Sequence, residues 1–385
     1  MKHAWRGLAA AMLVTQITLA ARVAFRMLAT AGGTRIGPAT GASADDRVSV
    51  IVPVLNERGR LAPCLEGLLA QGPEVAEILV VDGDSSDGTD TIVDLYTTRD
   101  ARVRLLRSPP PPYGGNGKAQ NLAFGLAHAD PESAWVLTID ADVRPAPGLG
   151  AALMDHARAE NVEALSVATQ QRLSGAAEAL LHPAMLATLV YRYGIPGQAT
   201  DDPAAVQANG QCFLARRNAL LDAGGFEAVL DSVCEDVTLA RILATTGRRV
   251  GFYETDGLVA VAMYAGAGDA WRNWLRSLPM RDRFWGLSGW LGLAEIIFVQ
   301  GAPLPLALML ARLRGTAGLW GRVNAMLVVM RVGVLVGASR AYEQRPWTYW
   351  LSPLSDLPVV VGVLLSAVRR NHRWRGRSIA RGDSR

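Results

Sequence analysis

The sequence predicts an α/β fold, with a mostly parallel sheet covered by helices, an N-terminal anchor helix and C-terminal transmembrane helices. Short apolar runs alternate with helix-length segments over residues 48–265. Long apolar segments follow over residues 286–368, and a shorter one lies within residues 1–30. Half of the 385 residues are hydrophobic and only 19% are charged. This composition is unusually apolar for a wholly soluble protein, so it favours membrane segments.

Residues 1–30 predict one transmembrane anchor. The stretch Gly7–Ala21 is mostly apolar and is flanked by basic residues, Lys2 and Arg6 before it and Arg22 and Arg26 after it. A signal peptide is the alternative, but the small-residue cleavage site is not convincing, and "ARVAFRML" continues the helical pattern. Residues 31–47 are rich in Gly, Ala, Thr, Asp and Pro and form the predicted linker.

The β/α alternation predicts a mostly parallel sheet that is covered by helices on both faces. Predicted strands cover 48–54, 77–82, 103–107 and 135–140, and predicted helices cover 59–71, 88–98 and 118–129. Apolar strands separated by helices are typical of parallel sheets buried on both faces. Ligands bind at the carboxyl ends of such strands. Polar residues fall at three of these ends, namely Asn56 with Glu57, Asp82, and Asp140 with Asp142.

The segment "WVLTIDADV" ends an apolar strand in two carboxylates, Asp140 and Asp142. Oxygen ligands of this kind suit Mg²⁺ or Mn²⁺, held by one or two carboxylates together with substrate phosphates. A turn that contains two acids is the alternative. Asp82 is predicted to contact a ligand, since its carboxylate could accept hydrogen bonds from a base or ribose.

Two further motifs carry candidate chemistry. In "GGNGK" the glycines permit close approach of the backbone, and Lys118 near a helix N-terminus suits a phosphate, although a flexible turn is the alternative. In "CED" Glu235 and Asp236 open a helix. Acids are favoured at a helix start, so capping is one interpretation, and a general base in a cleft is the other.

The C-terminal third predicts two to three transmembrane helices. Residues 266–285 form an amphipathic pattern that predicts an interfacial helix. Residues 286–368 hold three long apolar segments, for which buried core helices are the alternative. If the sheet domain is cytosolic, three crossings by these C-terminal segments would put the basic tail 369–385 outside the cell. That location is against the positive-inside tendency. One segment is therefore expected to be re-entrant or interfacial, unless that tendency fails here.

The cysteines, the histidines and the arginine-rich tail narrow the kinds of site and partner that the protein can have. The three cysteines share no zinc-like spacing and fit reduced thiols. The five histidines are scattered, so no histidine metal site is expected. The arginine-rich tail suits anionic lipid headgroups beside a membrane, and without a groove or a known motif it does not predict nucleic-acid binding.

The ordered motifs together resemble family 2 glycosyltransferases of the GT-A fold. They are "VSVIVPVLNE", "VVDGDSSDGT", "GKAQNLAFG", "TIDADV", "GGF" and "CEDVTLARIL". The anchored layout and "DAWRNWLRSL" are similar to the branch that glycosylates lipids, which includes ceramide glucosyltransferase-like and carotenoid- or hopanoid-associated enzymes. The second strand departs from the family pattern in "DGDS", and "WRNW" only partly matches the Gln/Arg-x-x-Arg-Trp element.

The resemblance implies roles for matching residues. Pro53, Asn56 and Glu57 would line the nucleotide pocket, Asp82 would hold the base, and Lys118 would lie near the nucleotide or its phosphates. Asp140 and Asp142 would hold the divalent metal, with Asp140 also next to the donor. Asp236 would be the catalytic base. Glu235, Arg272 and Trp274 are possible contacts of donor or acceptor.

The resemblance therefore implies a multi-pass enzyme of the inner or plasma membrane, with its catalytic domain in the cytoplasm. It would transfer a sugar, with inversion, from a nucleotide-diphosphate sugar to a hydroxyl of a lipid acceptor. The expected donor is a UDP-sugar, and the expected cofactor is Mg²⁺ or Mn²⁺. The alternatives are a polysaccharide synthase, a catalytically silent sugar-nucleotide-binding membrane protein, and a nucleotidyltransferase.

Overall fold

The computed structural model of the protein describes residues 2–39, 47–112, 114–312, 318–369, 371–374 and 377–380. Residues 40–46 of the predicted linker lie outside the described residues. The same holds for part of the predicted basic tail, including Arg370, Arg375, Arg381 and Arg385.

A nine-stranded mixed sheet organises the catalytic-domain region. In chain order the strands are β1 (Arg35–Ile36), β2 (Val48–Val54), β3 (Val75–Asp82), β4 (Val103–Arg107), β5 (Trp135–Ile139), β6 (Val143–Pro145), β7 (Ala164–Ala168), β8 (Gln170–Gln171), β9 (Gln198–Thr200), β10 (Cys212–Arg216), β11 (Val250–Thr255) and β12 (Val259–Val261). The order in the large sheet is β1-β11-β7-β10-β5-β2-β3-β4, with β9 beside β11. Strands β9 and β10 are antiparallel to their neighbours, and the other pairs are parallel.

Helices cover both faces of this sheet. In chain order the helices of the described residues are α1 (Lys2–Thr30), α2 (Leu61–Leu69), α3 (Thr89–Thr97), α4 (Gly117–His128), α5 (Leu149–Ala159), α6 (Ala176–Tyr193), α7 (Arg217–Asp222), α8 (Glu235–Thr245), α9 (Ala267–Asn273), α10 (Leu287–Ile296), α11 (Pro303–Arg312), α12 (Leu319–Gly337) and α13 (Asp356–Val368). One core lies under α2, α3 and α5, and the second lies under α4, α7 and α8. Alternate residues of β2 serve the two cores, since Val50 and Val52 face the first and Ile51 the second.

A smaller sheet and a hairpin complete the strands. The smaller sheet has the order β6-β12-β8, and it follows directly on the end of β5. A short hairpin, β13 (Asn371–Trp374) with β14 (Arg377–Ala380), lies in the predicted basic tail.

Four helical segments of the described chain are long and apolar enough to cross a membrane. They are Ala10–Thr30, Leu287–Arg312, Leu319–Ala341 and Trp347–Val368. A π-helical turn, Ile297–Gly301, joins α10 to α11 within the second segment. The exposed large hydrophobic side chains belong to these segments, with the exceptions of Leu95, Leu221 and Trp271. Such a large exposed apolar surface is typical of a site that contacts a membrane or another protein.

Polar contacts fix the direction of these helices. In α1, Arg26 and Arg22 pair with Glu295 of α10 at 2.8 Å and 3.1 Å, and Gln16 Nε2 donates to Phe298 O at 2.9 Å. α1 and the second segment, Leu287–Arg312, therefore run antiparallel to each other. Gln16 also bonds Asn324 of α12, so α1 and α12 both run toward the sheet domain.

The predicted α/β class is confirmed, and three local predictions differ. The predicted linker contributes β1, whose residues Arg35 and Ile36 pair with β11. The fourth predicted strand ends at Ile139, so Asp140 lies in the turn that follows it. The helix expected to fill 266–285 ends at Asn273, and hydrogen-bonded turns continue only to Leu278, whose N–H donates to Trp274 O at 3.1 Å. The pattern stops there because Pro279 lacks an N–H and Met280 adopts a φ of 52°.

Candidate active site

The two carboxylates of "IDAD" lie where β5 meets the start of the antiparallel β10. Asp140 N donates to Gln211 O at 3.1 Å, and Val143 N donates to Asp140 O at 3.1 Å, which closes a tight turn. Asp140 and Asp142 are thus the first and third residues of this turn. Arg60 approaches Asp142, with 3.9 Å between Nη1 and Oδ2, and also pairs with Glu57 at 3.0 Å.

Lys118 lies between two acidic groups that are far apart in sequence. Its Nζ is 2.8 Å from Asp140 Oδ1 and 3.1 Å from Glu235 Oε1. Burial opposes its charge, but Asp140, Glu235 and Asp236 together raise the pKa of Lys118 above its usual value. The lysine is therefore a fixed cation at the centre of the site.

Asn116 joins the start of α4 to the start of α8. Its Oδ1 accepts hydrogen bonds from Lys118 N and Ala119 N, so it caps α4. Its Nδ2 donates to Glu235 Oε2 at 2.9 Å and to Ser232 O at 2.9 Å. Burial raises the pKa of Glu235, but Lys118 and these hydrogen bonds outweigh burial, and the pKa is lowered. Glu235 is therefore held ionised.

Asp236 has a different electrostatic setting. Its Oδ2 accepts a hydrogen bond from Gly210 N at 2.6 Å, and its Oδ1 accepts from Val237 N at 2.8 Å. Burial and the charge of Glu235 raise the pKa of Asp236 to about 6, against the opposing effect of Lys118. A carboxylate of this pKa is ionised at neutral pH yet is basic enough to accept a proton.

Gly210 forms the contact between Lys118 and Asp236. Lys118 Nζ donates to Gly210 O at 3.3 Å, while Gly210 N donates to Asp236. A Cβ at this position would lie 2.7 Å from Lys118 Nζ and 3.1 Å from Asp236 Oδ2. Only glycine leaves room for both side chains.

Most of the predicted site residues line one cavity of about 2020 Å³. Those on its wall are Pro53, Glu57, Lys118, Asp140, Asp142, Glu235, Asp236, Arg272 and Trp274. Trp274 packs on His182 of α6, with ring centroids 4.3 Å apart. The cavity also borders α1 and α12, so it extends from the strand ends into the apolar helices.

Asn56 and Asp82 are not on the described wall of this cavity. Asp82 is buried, and its Oδ1 accepts hydrogen bonds from Ser85 N at 3.0 Å and Ser85 Oγ at 2.6 Å. Asn56 adopts a φ of 56°, and its Oδ1 accepts from Ser86 N at 2.9 Å. Both side chains therefore shape the loop 83–88, and their predicted contacts with nucleotide remain predictions.

The donor set suits a divalent cation bound together with a diphosphate. Burial raises the pKa of Asp140 to about 6, with repulsion by Asp142 acting in the same direction and Lys118 opposing it. An added cation beside these two carboxylates would relieve that repulsion. The described chain holds no cluster of three or more His, Cys, Asp or Glu side chains that could hold a metal. Phosphate and water oxygens would have to complete the shell, as is usual for Mg²⁺.

Sequence reasoning missed three residues of this site. Asn116, Arg60 and Gly210 touch the predicted acids, yet none follows a strand in the pattern used for prediction. The sequence "NGK" did contain a signal for Asn116, since asparagine two residues before a helical lysine is a frequent N-cap. Gly210 had no comparable signal.

The family comparison identifies the type of domain. Residues 49–223 match the model described as Glycosyl transferase family 2. This range includes β2 to β10 and the Asp140–Asp142 pair, whereas Glu235 and Asp236 lie beyond it.

Two curated relatives match shorter segments. Glycosyltransferase GlyG of Streptococcus pneumoniae serotype 4 is 32% identical over 95 residues, which are 25% of this chain and 30% of that protein. The uncharacterized glycosyltransferase EpsJ of Bacillus subtilis is 32% identical over 80 residues, which are 21% of this chain and 22% of that protein. The chain thus spans less than a third of the length of either relative.

A solved structure is similar over nearly the whole chain. It is the mannosyltransferase PcManGT of Pyrobaculum calidifontis, in complex with GDP-Man and Mn²⁺. The TM-score is 0.56 at 20% identity, and the match covers 93% of this chain and 99% of the other. At this identity the likeness concerns the fold, and it confirms the predicted GT-A architecture.

Proposed function

We propose that the chain, whose residues 49–223 match the family 2 glycosyltransferase model, transfers a sugar from a nucleotide-diphosphate sugar to a hydroxyl of a lipid acceptor, with inversion. The observation that carries this proposal is the cavity shared by Asp140, Asp142 and Asp236 and by the apolar helices α1 and α12. One cavity can thus hold a polar donor at one end and an apolar acceptor at the other. UDP-sugars are the first donors to test.

In the proposed reaction Asp236 is the general base. A carboxylate oxygen of Asp236 takes the proton of the acceptor hydroxyl as the hydroxyl oxygen attacks the anomeric carbon. The bond between that carbon and the diphosphate breaks, and the nucleoside diphosphate leaves with the electron pair. The N–H groups of Gly210 and Val237 hold the carboxylate in one orientation, while each oxygen keeps a lone pair for the proton.

The remaining side chains position the donor and balance its charge. Asp140 and Asp142 would hold a divalent cation, which would stabilise negative charge on the leaving diphosphate. Lys118 keeps Asp140 and Glu235 fixed, and its charge lowers the pKa of Asp236. Pro53 and Glu57 on the cavity wall, with Asn56 and Asp82 in the adjoining loop, are the proposed surroundings of the nucleotide. Arg272 and Trp274 are proposed contacts of donor or acceptor.

The test is transfer of label to lipid. Membranes that contain the protein are incubated with a panel of labelled nucleotide sugars and Mn²⁺, and the lipids are extracted. We expect one labelled lipid, which Asp236→Asn should reduce by roughly 10²- to 10⁴-fold, the usual contribution of a general base. Asp90→Asn on the surface of α3 is the matched control and should retain the label. Full transfer by Asp236→Asn would exclude the assigned base, and a long labelled polymer would indicate a polysaccharide synthase instead.

We also propose that the protein crosses the membrane three times, with the catalytic domain in the cytoplasm. The segment Trp347–Val368 is the exception among the four candidates, because one of its ends bonds to the start of α6 and the other bonds to the interfacial region 266–285. Thr348 Oγ1 donates to Ala176 O at 2.7 Å, and Arg281 Nη1 donates to Ala367 O at 2.7 Å. A segment with both ends on one side is re-entrant or interfacial, and the basic tail then shares the cytosolic side with the catalytic domain. This arrangement satisfies the positive-inside tendency.

Cysteine labelling tests this topology. The native cysteines Cys64, Cys212 and Cys234 are buried, so background labelling should be low. A membrane-impermeant maleimide should label Ser384→Cys only in inside-out vesicles. Thr316→Cys, between the second and third segments, should be labelled only in right-side-out vesicles. Labelling of both positions from the same side would contradict three crossings.

A further inference from the structure

One end of the catalytic cavity lies between α1 and α12, two of the helices that are apolar enough to cross a membrane. Its wall includes Ala24, Met27 and Leu28 of α1 and Met330, Gly333 and Val334 of α12. In each helix these positions follow the spacing i, i+3, i+4, so each helix presents one continuous apolar stripe to the cavity. The stripes form a groove, hereafter the α1–α12 groove, that is continuous with the space around Asp140 and Asp236.

The groove has a closed end and a defined depth. Far from the sheet domain, α1 and α12 are tied together by Gln16, whose Nε2 donates to Asn324 Oδ1 at 2.9 Å and whose Oε1 accepts from Trp320 Nε1 at 3.0 Å. The two helices run in the same direction from this tie. The wall residues run from Ala24 to Ala31 on the first helix and its turn, and from Met330 to Gly337 on α12, so the groove is about 10 Å long at 1.5 Å per residue. Between the groove and the tie the space is filled by buried core side chains, among them Val23 and Leu327. The groove thus spans most of one leaflet, which is about 15 Å of hydrocarbon.

The groove is also open at its side. A Cβ placed on Gly333 or Gly337 would meet no atom within 4 Å. Leu28 and Val336, both on the cavity wall, are 76% and 55% exposed. An apolar molecule could therefore enter from the surrounding leaflet without first passing through water.

We propose that the α1–α12 groove binds the apolar tail of the acceptor, a single-tailed lipid with a hydroxyl head, which enters sideways from the leaflet next to the catalytic domain. The inference rests on the proposed function, since it assigns the place where that function's acceptor binds. Continuity of the groove with the carboxylates selects this occupant. A molecule seated in the groove extends toward the sheet domain, so its head reaches the part of the cavity that holds Asp236.

Gly333→Phe tests the groove with little disturbance of the fold. The phenyl ring would enter open space on the cavity side of α12, and replacement of a helical glycine favours the helix. Val332→Phe is the matched control, because Val332 lies on the same helix, is 44% exposed and is not on the cavity wall. Gly337→Phe provides a second groove variant if Gly333→Phe does not fold, with UDP binding as the check of folding.

The first measurement is photolabelling with a diazirine-bearing hexadecanol in phosphatidylcholine nanodiscs. We expect label in the peptides around Ala24–Leu28 and Met330–Val334. Gly333→Phe should reduce it roughly tenfold, the loss expected when about two methylene contacts are displaced. Val332→Phe should label like the wild type. Equal labelling of the wild type and both groove variants would overturn the inference.

The second measurement separates this inference from the proposed function. With any lipid that accepts sugar, Gly333→Phe should raise the KM for that lipid and leave the KM for the nucleotide sugar unchanged. A short-tailed analogue of the same lipid should be used equally well by the wild type and the variant. An unchanged KM for the long lipid would refute the groove while leaving lipid glycosylation intact. Groove labelling without any transfer to lipid would instead refute the proposed function.

Discussion

Replacing Glu235 by glutamine should move the acid limb of the pH–rate profile to lower pH. Burial is the largest cause that raises the pKa of Asp236 to about 6, repulsion by Glu235 is the second, and Lys118 lowers it. A general base acts only when ionised, so kcat/KM should fall as the pH drops through about 6. The neutral glutamine side chain would remove the repelling charge, and Asp236 would then stay ionised at lower pH.

The size of this change follows from the same environment. The pKa of Asp236 rises from 3.8 to about 6, and burial supplies the larger part of that rise. Glutamine leaves burial unchanged and keeps an oxygen that can accept the hydrogen bond from Asn116. We therefore expect the acid limb to shift down by about 1 pH unit, less than the whole rise. Lys118→Met should shift it in the opposite direction.

The assay is sugar transfer to lipid between about pH 5 and 8, analysed as kcat/KM. Saturating Mn²⁺ is used because a bound cation keeps Asp140, whose pKa is also about 6, in its ionised form. Glu66→Gln, a surface carboxylate paired with Arg99, is the control and should leave the limb in place. An acid limb that stays at the wild-type pH in Glu235→Gln, or that rises, would refute the assignment of this limb to Asp236.

Three further predictions concern the metal, the close contact and the membrane region. Chelation by EDTA should abolish transfer, and Mn²⁺ should restore it. The Asp142→Asn variant should need roughly tenfold more Mn²⁺ for its half-maximal rate. A transfer rate that EDTA leaves unchanged would contradict the metal requirement. Gly210→Ala should lower kcat about 100-fold with little change in the thermal midpoint, because the new Cβ would lie 2.7 Å from Lys118 Nζ. A kcat near the wild-type value would show that this packing is unimportant for catalysis. Arg331→Met should destabilise the protein by about 3–5 kcal/mol in a detergent melt, since it leaves Asp356 buried without its partner at 2.9 Å. Adding Asp356→Leu should restore most of that loss, and a double variant as unstable as the single one would count against the ion pair.

The strands and helices of the sheet domain could be predicted closely from local patterns. The run 48–54 was predicted to the residue, and the helix predicted over 118–129 is α4, Gly117–His128. Periodicity suffices there because buried parallel strands are continuously apolar, and turn residues mark their ends. It failed for 266–285, where a proline and a positive φ end a pattern that remains amphipathic on paper.

The sequence by itself determined the order of the secondary-structure elements, the acids at the strand ends and the apolar character of the C-terminal third. Only the tertiary structure decided that Lys118 lies between Asp140 and Glu235, and that Gly210 separates Lys118 from Asp236. The contacts of Lys118 with Glu235 and Gly210 join residues about a hundred positions apart, and local propensity carries no information about such distances. Tertiary contacts likewise decided that Thr348 bonds to Ala176 and that Ala367 bonds to Arg281, because hydropathy measures how apolar a segment is but not where its two ends are bound.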